Sequence, residues 1–276
     1  MGNYNDILQA AREFLKSHGI ADADADAWYL LAHVTGMNRA DFFMHREELL
    51  PGGTDHKYRE LLKMRARHIP LQYLTRTQEF MGLEFDVNEH VLIPRQDTEC
   101  LVEEVLKVCN KKSILDVGTG SGCIIVSLAK LGNISRATAS DLSGIALETA
   151  RNNARKHHVE VEFIVSDLFE KIEGYYDIIV SNPPYIRTED IKTLMPEVRD
   201  HEPVTALDAG ADGLTFYRRI IDGLPSHLLS GGMVFFEIGH DQGAAVKELL
   251  VGEGYIDIHV NKDLSGLDRV VCAVRS

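Results

Sequence analysis

The sequence has few cysteines, lacks long apolar runs and carries no excess of positive charge. Its four cysteines form no Cys-x-x-Cys motif and no His/Cys pattern at metal-ligand spacing, which argues against a disulfide scaffold or a zinc module and favours reduced thiols. No apolar run approaches the length of a membrane span, and the polar first residues contain no signal-peptide core. We therefore expect a cytoplasmic protein without membrane contact.

Negative charge predominates, because 42 Asp and Glu residues outnumber 29 Lys and Arg residues and give a formal net charge of −13. Tight, sequence-independent binding to DNA or RNA needs a basic surface, so we expect no such binding. The imbalance is uneven, since residues 1–75 contain nine Lys and Arg against ten Asp and Glu, and the remainder contains 20 against 32. This asymmetry supports a division into two domains. We also expect the protein to be a monomer.

Residues 1–75 predict a small helical domain, for which we expect a role in substrate recognition. Its first helix has apolar residues at helical spacing, from Ile7 to Leu15. Two further helices would end at Gly36 and near His45, where the apolar pattern stops.

A fourth helix is predicted to begin at a Thr54 cap and to end near His68. It carries Arg59, Lys63 and Arg67 at four-residue spacing on one face. A solvated face is the simpler interpretation of these charges, and contact with RNA or an acidic partner is the functional alternative.

Residues 76–95 predict a β-hairpin linker between two domains. The segment 79–87 alternates around Gly82, and the segment 91–95 is expected to extend the hairpin. The second domain then covers residues 96–276 and opens with a helix.

From residue 113 onward, short apolar strands alternate with helices. The strands are predicted at 113–117, 136–140, 161–165, 176–180, 233–238, 255–260 and 269–274. Such alternation implies an α/β fold in which a mainly parallel sheet is covered by helices on both faces.

A glycine-rich loop follows the first of these strands. After Asp116-Val117 it comprises Gly118, Thr119, Gly120, Ser121 and Gly122. Glycines allow the backbone to approach a ligand at the start of a helix. The dinucleotide fingerprint G-x-G-x-x-G is broken, because Cys123 stands where its third glycine would be, and this disfavours a nicotinamide dehydrogenase.

Polar residues follow the next three strands: Asp141, Asp167 with Leu168, and Asn182. Each aspartate alone has an ordinary interpretation as a helix cap or turn residue. Together they predict one crevice, because ligands bind beyond the carboxyl ends of parallel strands. Asp141 would bind ribose hydroxyls, and Asp167 an adenine amine. An acidic crevice without lysines suits S-adenosylmethionine, which is cationic at sulfur and has no phosphate.

Asn182-Pro183-Pro184-Tyr185 leaves the fourth strand as a stiff turn, because proline has no N–H to donate to a ladder. The Asn182 side-chain oxygen and the Pro183 carbonyl can accept the two hydrogens of a planar NH2 group, with Tyr185 against its flat face. Such acceptors would favour the transition state of a reaction at that nitrogen. A simple Pro-Pro turn is the alternative.

These motifs resemble the HemK/PrmC family, the protein-(glutamine-N5) methyltransferases of class-I peptide chain release factors, along nearly the whole chain. Stretches that carry the resemblance besides the two loops are Phe80–Phe85, Val91–Arg95, Glu197-Val198, His201–Pro203, Ala206-Leu207 and Asp212–Leu214. Leu168 departs from it, since relatives often carry an aromatic residue there, and so does Gln96-Asp97, where Pro-Glu is expected.

The resemblance implies a class I methyltransferase fold, a seven-stranded sheet with an antiparallel last strand, and a small N-terminal helical domain. By the resemblance, Gly118 to Gly122, Asp141 and Leu168 would contact S-adenosylmethionine, which would leave as S-adenosylhomocysteine, and from their strand-end positions we expect Asp167 and Asn182 to contact it as well. Residues Asn182 to Tyr185 would hold the glutamine of a Gly-Gly-Gln loop. No metal is expected, and His201 and Glu202 are candidates for a base, although structural roles are the simpler interpretation.

Three rival functions remain open from the sequence. A ribosomal-protein glutamine methyltransferase would use identical chemistry. A DNA or RNA adenine-N6 methyltransferase would apply Asn-Pro-Pro-Tyr to a flipped base, although the acidic second domain argues against it. A cofactor-sensing adaptor would need no contribution from Asn182.

Overall fold

The computed structural model describes residues 2–276 and separates into two compact units. The first, here called the helical unit, contains the residues up to Thr77 together with Met195–His201. The second, the sheet unit, contains Gln78–Leu194 and Glu202–Ser276. None of the helices described in this range is both long and apolar enough to cross a bilayer.

Helices and strands occupy most of the described chain. In chain order, the helices within residues 2–276 are α1 (Tyr4–Ser17), α2 (Ala23–Thr35), α3 (Arg39–His45), α4 (Gly52–Arg65), α5 (Leu71–Thr75), α6 (Glu99–Leu106), α7 (Cys123–Leu131), α8 (Gly144–Lys156), α9 (Pro196–His201), α10 (Thr215–Gly223) and α11 (Gly243–Gly252). The strands in the same range are β1 (Thr77–Phe80), β2 (Leu83–Asp86), β3 (Ser113–Val117), β4 (Arg136–Asp141), β5 (Glu162–Val165), β6 (Tyr176–Ser181), β7 (Leu228–Glu237), β8 (Ile256–Lys262) and β9 (Asp268–Val274).

The helical unit has its own apolar core. Trp28 and Phe42 pack edge to face with ring centroids 5.4 Å apart, and Tyr58 is fully buried with its hydroxyl donating to the Ala27 carbonyl at 2.8 Å. These contacts join helices α2, α3 and α4. Because the burial comes from tertiary packing, the unit does not depend on helix propensity alone.

Helix α4 differs from its prediction at both ends. It begins at Gly52 after Pro51, so Thr54 lies inside the first turn and is not the cap. Pro51 is the N-cap instead, with a φ of −55° and a ψ of 136°, and no side chain among the described residues caps this end of the helix. Arg59 and Lys63 are exposed and pair with Asp55 and Glu60, as expected for a solvated face.

The predicted hairpin is present as β1 and β2, joined by a two-residue turn. Met81 and Gly82 both have positive φ, 53° and 69°, which suits a tight hairpin. The segment 91–95 does not extend it, so that prediction was wrong. The Ile93 N–H donates to the Glu202 carboxylate, and Pro94 has no N–H. Neither residue can therefore donate a hydrogen bond to a strand ladder.

The large sheet of the sheet unit has the order β5-β4-β3-β6-β7-β9-β8. Strands β3 to β7 pair in parallel, and β9 is antiparallel to both β7 and β8. The predicted seven-stranded, mainly parallel sheet with an antiparallel last strand is therefore confirmed. Strand order reverses between β3 and β6, which is where open α/β sheets bind ligands.

Apolar helices cover both faces of this sheet, as the alternation predicted. One core contains residues of α6 and α7, such as Leu101, Val102 and Ile125, and the other contains residues of α10 and α11, such as Ile220 and Val246. The central strands β3 and β6 are buried on both sides, which explains their β-branched composition.

Candidate active site

The carboxyl ends of β3, β4, β5 and β6 open into a cavity of about 700 Å³. This size is typical of small-ligand sites. The predicted residues that line it are Gly118, Thr119, Gly120, Ser121, Asp141, Asp167, Leu168, Asn182, Pro183 and Pro184. Gly122 and Tyr185 were predicted with them but are not among the lining residues.

The glycine loop is shaped by three residues in the left-handed region: Gly118, Gly120 and Gly122, with φ of 77°, 55° and 81°. An added Cβ at Gly122 would lie 3.0 Å from the Cβ of Ala150. Gly122 therefore serves the close approach of α7 and α8 rather than the cavity wall. Glycine is required there both for its φ and for its size.

Three backbone donors at the start of the loop are used within the protein. The N–H groups of Gly118 and Thr119 both donate to the Ser140 carbonyl at 2.9 Å, and that of Gly120 donates to Asp141 Oδ2 at 2.9 Å. A phosphate-binding loop would keep such donors free for its ligand. The loop therefore suits a ligand without phosphate.

Asp116 precedes the loop and is completely buried. Its Oδ2 accepts from the Thr119 hydroxyl at 2.6 Å, and its Oδ1 has no partner among the described residues. Burial raises the pKa of Asp116 to about 7. The Asp116 carboxyl group therefore fixes the Thr119 hydroxyl and places an acidic group behind the cavity wall.

Asp141 is the last residue of β4 and holds the next turn. Its Oδ1 accepts from the Ser143 N–H at 2.8 Å and its Oδ2 from the Gly120 N–H at 2.9 Å. Burial raises its pKa, and these two backbone hydrogen bonds oppose the rise. Each oxygen keeps a second lone pair, so the carboxylate can also accept from a pair of ligand hydroxyls.

Asp167 and Leu168 follow β5 and line the same cavity. Asp167 Oδ2 accepts from the Arg219 guanidinium at 2.9 Å, a partner that the sequence did not suggest. Leu168 has a φ of +50°, which is uncommon for a residue with a branched side chain. This turn sets the Leu168 side chain between the cavity and the core cluster around Tyr217.

Asn182 and Pro183 lie directly after β6, whose end is fixed by a hydrogen bond from the Ser181 hydroxyl to the Val117 carbonyl at 2.6 Å. The Asn182 Nδ2 donates to Thr98 Oγ1 at 3.3 Å. Within residues 2–276, no donor reaches Asn182 Oδ1 or the Pro183 carbonyl. Two acceptors at the cavity wall are therefore available to a ligand.

Tyr185 faces the protein rather than the cavity. Its hydroxyl lies 3.5 Å from Glu237 Oε1, and its carbonyl accepts from Gln242 Nε2 at 2.9 Å. Burial raises the pKa of Tyr185. Direct contact of Tyr185 with substrate stays a prediction, and its placement shows that the residue supports the turn.

Three buried polar residues next to the turn were missed by the sequence reasoning: Thr98, Glu237 and Gln242. Glu237 ends β7, so the rule that selected Asp141 at the end of β4 could have found it. Burial raises the pKa of Glu237 to about 7, opposed by Thr98 and Arg269. Thr98 lies in a short 3-10 turn at Gln96–Thr98, which no strand-end pattern would reveal.

The two base candidates are engaged elsewhere. Glu202 is buried, accepts from the Ile93 N–H at 3.3 Å and pairs with Arg95, and it is not among the residues that line the cavity. Burial raises the pKa of Glu202. His201 is in the helical unit, where its Nε2 lies 3.2 Å from the Arg67 carbonyl. Both contacts are structural.

Solved structures support the fold assignment. A methyltransferase from Pyrococcus furiosus matches with a TM-score of 0.55 and 17% identity, covering 71% of this chain and 91% of that one. The ribosomal protein L11 methylase from Lactobacillus delbrueckii subsp. bulgaricus matches with a TM-score of 0.50 and 20% identity, covering 66% and 81%. At such identities the likeness concerns the fold alone.

Residues 95–198 match the model of the methyltransferase small domain, and residues 6–75 match that of the PrmC N-terminal domain. Sheet topology, cavity and motif together define an S-adenosylmethionine-dependent class I methyltransferase. Relatives named release factor glutamine methyltransferase are 42% identical in Clostridium acetobutylicum, over 98% of both chains, and 39% identical in Geobacter sulfurreducens, over 96% of this chain and 94% of the relative. The chain belongs to the release factor glutamine methyltransferase family.

Membership of this family implies S-adenosylmethionine, and the cavity fits such a cofactor. Of the ionisable residues that line it, Asp141, Asp167 and Asp208 are acidic, and Arg95 is the one Arg or Lys among the described lining residues. The excess of carboxylates favours a cationic ligand. The internal use of the loop donors agrees with the absence of phosphate from this cofactor.

Proposed function

We propose that the protein methylates the side-chain amide nitrogen (N5) of the glutamine in the Gly-Gly-Gln motif of class-I peptide chain release factors. The observation that carries this proposal is the pair of open acceptors, Asn182 Oδ1 and the Pro183 carbonyl, at the wall of a cavity suited to S-adenosylmethionine. The relatives named for this activity, which match along nearly the whole chain, support the same substrate.

The two acceptors would hold both hydrogens of the glutamine NH2 group and orient its nitrogen. Bound S-adenosylmethionine would supply a methyl group on a sulfonium sulfur: as the bond from nitrogen to the methyl carbon forms, the bond from sulfur to that carbon would break with its electron pair left on sulfur, and the nitrogen would release one proton to water, which gives S-adenosylhomocysteine and the N5-methyl amide. An amide nitrogen is a weak nucleophile because its lone pair is delocalised. Acceptors on its hydrogens return electron density to nitrogen as the new bond forms, so Asn182 and Pro183 stabilise the transition state more than the ground state.

Positioning supplies the rest of the catalysis in this proposal. The Pro183-Pro184 backbone is stiff, and Gln242 holds the Tyr185 carbonyl that follows it. Fixed reacting groups can contribute several kcal/mol to rate acceleration. Displacement at a sulfonium carbon needs no Lewis acid, so we propose a reaction without metal.

For the cofactor we propose contacts with the loop residues Gly118 to Ser121, with Asp141 at the ribose, with Asp167 and Leu168 at the adenine, and with Asn182. We further propose that the helical unit recognises the release factor, and that the protein acts as a cytoplasmic monomer.

Mass spectrometry of a purified release factor, incubated with this protein and S-adenosylmethionine, tests the proposal. We expect one added methyl group on the Gly-Gly-Gln glutamine, and none on a release factor in which that glutamine is replaced by glutamate. Parallel incubations with ribosomal proteins and with DNA test the two rival substrates. Transfer to either of those, without transfer to the release factor, would contradict the proposal.

Asn182→Ala provides the matched variant. We expect its turnover to fall by about 100-fold or more, as for loss of a donor or acceptor at a reacting centre, with a smaller change in S-adenosylmethionine affinity measured by calorimetry. Equal losses in turnover and affinity would show that Asn182 acts mainly on the cofactor.

A further inference from the structure

Two buried side-chain amides lie behind the walls of the cavity: Gln242, immediately before α11, and Asn153, in α8. Gln242 is 4% exposed and Asn153 is fully buried. Neither is among the described residues that line the cavity. Each uses its NH2 group and its oxygen on backbone groups of neighbouring segments, so each can hold those segments together without touching a ligand.

The Gln242 amide joins three connections at the carboxyl edge of the sheet. Its Nε2 donates to the Tyr185 carbonyl at 2.9 Å and to the Gly213 carbonyl at 3.2 Å. Its Oε1 accepts from the Gly239 N–H at 2.9 Å. An added Cβ at Gly213 would lie only 2.6 Å from this Nε2, so the contact depends on glycine at that position.

The turn Asn182–Pro184 is thereby held at both ends. Before it, the Ser181 hydroxyl donates to a carbonyl of β3 at 2.6 Å. After it, the Tyr185 carbonyl accepts from Gln242. The two prolines between these anchors leave the backbone little freedom. The anchors therefore set the direction of the Pro183 carbonyl.

Asn153 makes equivalent contacts with the glycine loop. Its Nδ2 donates to the Ser121 carbonyl at 2.9 Å and to the Asp86 carbonyl at 3.0 Å. Its Oδ1 accepts from the Asp86 N–H at 2.7 Å. Asp86 is the last residue of β2, so one buried amide ties the loop to the hairpin. The asparagine side chain is short, and the close approach of α7 and α8 at Gly122 brings the loop within its reach.

We propose that Gln242 and Asn153 are positioning residues, Gln242 for the turn that receives the substrate amide and Asn153 for the loop that receives S-adenosylmethionine. The inference rests on the proposed function, which assigns these ligands to the two walls. A loop held in its binding geometry raises the fraction of competent molecules and lowers the apparent Kd. A turn held at the reacting centre acts on kcat, because its acceptors must face the nitrogen as the bond forms.

Gln242→Glu tests the substrate side, because glutamate has the shape of glutamine but no NH2 group. The carbonyls of Tyr185 and Gly213 would lose their donor. We expect kcat with a release factor to fall by about 10- to 100-fold, as for loss of buried hydrogen bonds. The Kd of S-adenosylmethionine, measured by calorimetry, should change by less than about threefold. Gln78→Glu makes the same change in β1, where the amide donates to the Glu79 carbonyl away from the cavity, and should leave kcat near that of the wild type.

Asn153→Asp tests the cofactor side by the same chemistry. Aspartate can still accept from the Asp86 N–H, but it offers no NH2 group to the Ser121 carbonyl. We expect the Kd of S-adenosylmethionine to rise by about tenfold or more. At saturating cofactor, kcat should stay within about threefold of the wild-type value, because bound cofactor restores the loop. Asn152→Asp changes the neighbouring, exposed residue of α8 and should leave both quantities unchanged.

The opposite pattern expected for the two variants separates positioning from a general role in folding. An amide that only stabilised the fold would lower the free energy of unfolding and either change kcat and Kd together or leave both unchanged. The proposal requires both halves of the pattern. Joint loss of kcat and affinity in either variant, or no change in either quantity, would overturn it.

Gln242→Met and Asn153→Ala are the second variants, because they remove the amides without adding a charge. They should reproduce the pattern if a charged variant folds poorly. Hydrogen exchange measured by mass spectrometry, without substrate or cofactor, provides a readout that does not depend on catalysis. We expect faster exchange in residues 186–188 and 207–210, which pair with each other, in the Gln242 variants, and in residues 118–122 in the Asn153 variants.

Exchange at the wild-type rate in these segments would contradict the inference. If the wild-type protein methylated no glutamine substrate, the proposed function would fail. Calorimetry of S-adenosylmethionine with Asn153→Asp, and hydrogen exchange in both sets of variants, would still decide whether the two amides hold the walls of the cavity.

Discussion

At the scale of single residues, Asp141 shows how a carboxylate can shape a turn and still accept from a ligand. Its two oxygens receive one backbone hydrogen bond each, from Gly120 and Ser143. An amide at this position would direct an NH2 group at one of these two donors. The same side chain thus holds the glycine loop and presents lone pairs to the cavity.

Asp141→Asn should therefore weaken S-adenosylmethionine binding by about tenfold or more, since a donor would face a donor and a charged acceptor would be lost. Isothermal titration calorimetry measures this Kd directly. Asp200→Asn changes an exposed aspartate that pairs with Arg199 in the helical unit and should leave the Kd unchanged. A wild-type Kd in Asp141→Asn would argue against its role at the ribose.

Glu237 predicts a pH dependence of stability, because its pKa rises from 4.5 to about 7 on folding. A carboxyl group with a raised pKa binds a proton more readily in the folded state, so its contribution to stability is present below about pH 4.5 and is lost as pH rises through about 7. The charged groups that face it include Arg269 and Asp97. Asp116, with a similarly raised pKa, acts in the same direction.

The prediction is tested by comparing thermal unfolding of the wild type and Glu237→Gln from pH 5 to pH 8.5. The stability of the wild type relative to the variant should fall by up to about 3 kcal/mol over this range. Asp116 titrates in both proteins and cancels from the difference. Parallel stability curves would show that Glu237 does not titrate as described.

At the scale of secondary-structure elements, the start of α7 depends on close contact with α8. Gly122→Ala would combine a left-handed φ of 81° with a Cβ only 3.0 Å from that of Ala150. We expect a loss of about 2–3 kcal/mol in unfolding free energy, measured by urea denaturation. Gly174→Ala is the matched control, since Gly174 has a φ of 79° but no atom within 4 Å of the new Cβ. Equal losses of unfolding free energy in the two variants would show that contact with Ala150 adds nothing to the effect of the left-handed φ.

Elements with strong periodicity could be predicted from the sequence, and irregular ones could not. Strand β3 occurs at the predicted bounds and helix α3 ends at the predicted residue, because apolar spacing and flanking breakers defined them. The segment 91–95 looked like a strand because it is apolar, but its backbone donors bind a side chain. Likewise, Thr98 became significant only through its tertiary contact with Asn182, which no local pattern encodes, whereas the position of Glu237 at the end of β7 is a pattern that the sequence does show.

At the scale of the whole molecule, the helical unit is built from two stretches that are far apart in sequence. Segment Met195–His201 belongs to the helical unit although it lies between two parts of the sheet unit in sequence. Composition and charge predicted two domains. They could not predict that Met195–His201 belongs to the helical unit, because this depends on the buried contacts of Glu197. The Arg65 guanidinium reaches Glu197 at 2.9 Å and Asp26 at 2.7 Å, and Arg65 is itself buried.

Arg65→Leu tests how much this ion cluster contributes to the helical unit. Removal of the cation would leave the carboxylates of Asp26 and Glu197 partly buried without their main partner, and we expect a loss of about 3–5 kcal/mol. Arg59→Leu removes an exposed arginine of the same helix, paired with Asp55, and should cost far less. Differential scanning calorimetry of both variants measures the effect. Because desolvation and lost pairing are specific to the buried site, similar melting temperatures for the two variants would show that the cluster does not hold the returning segment.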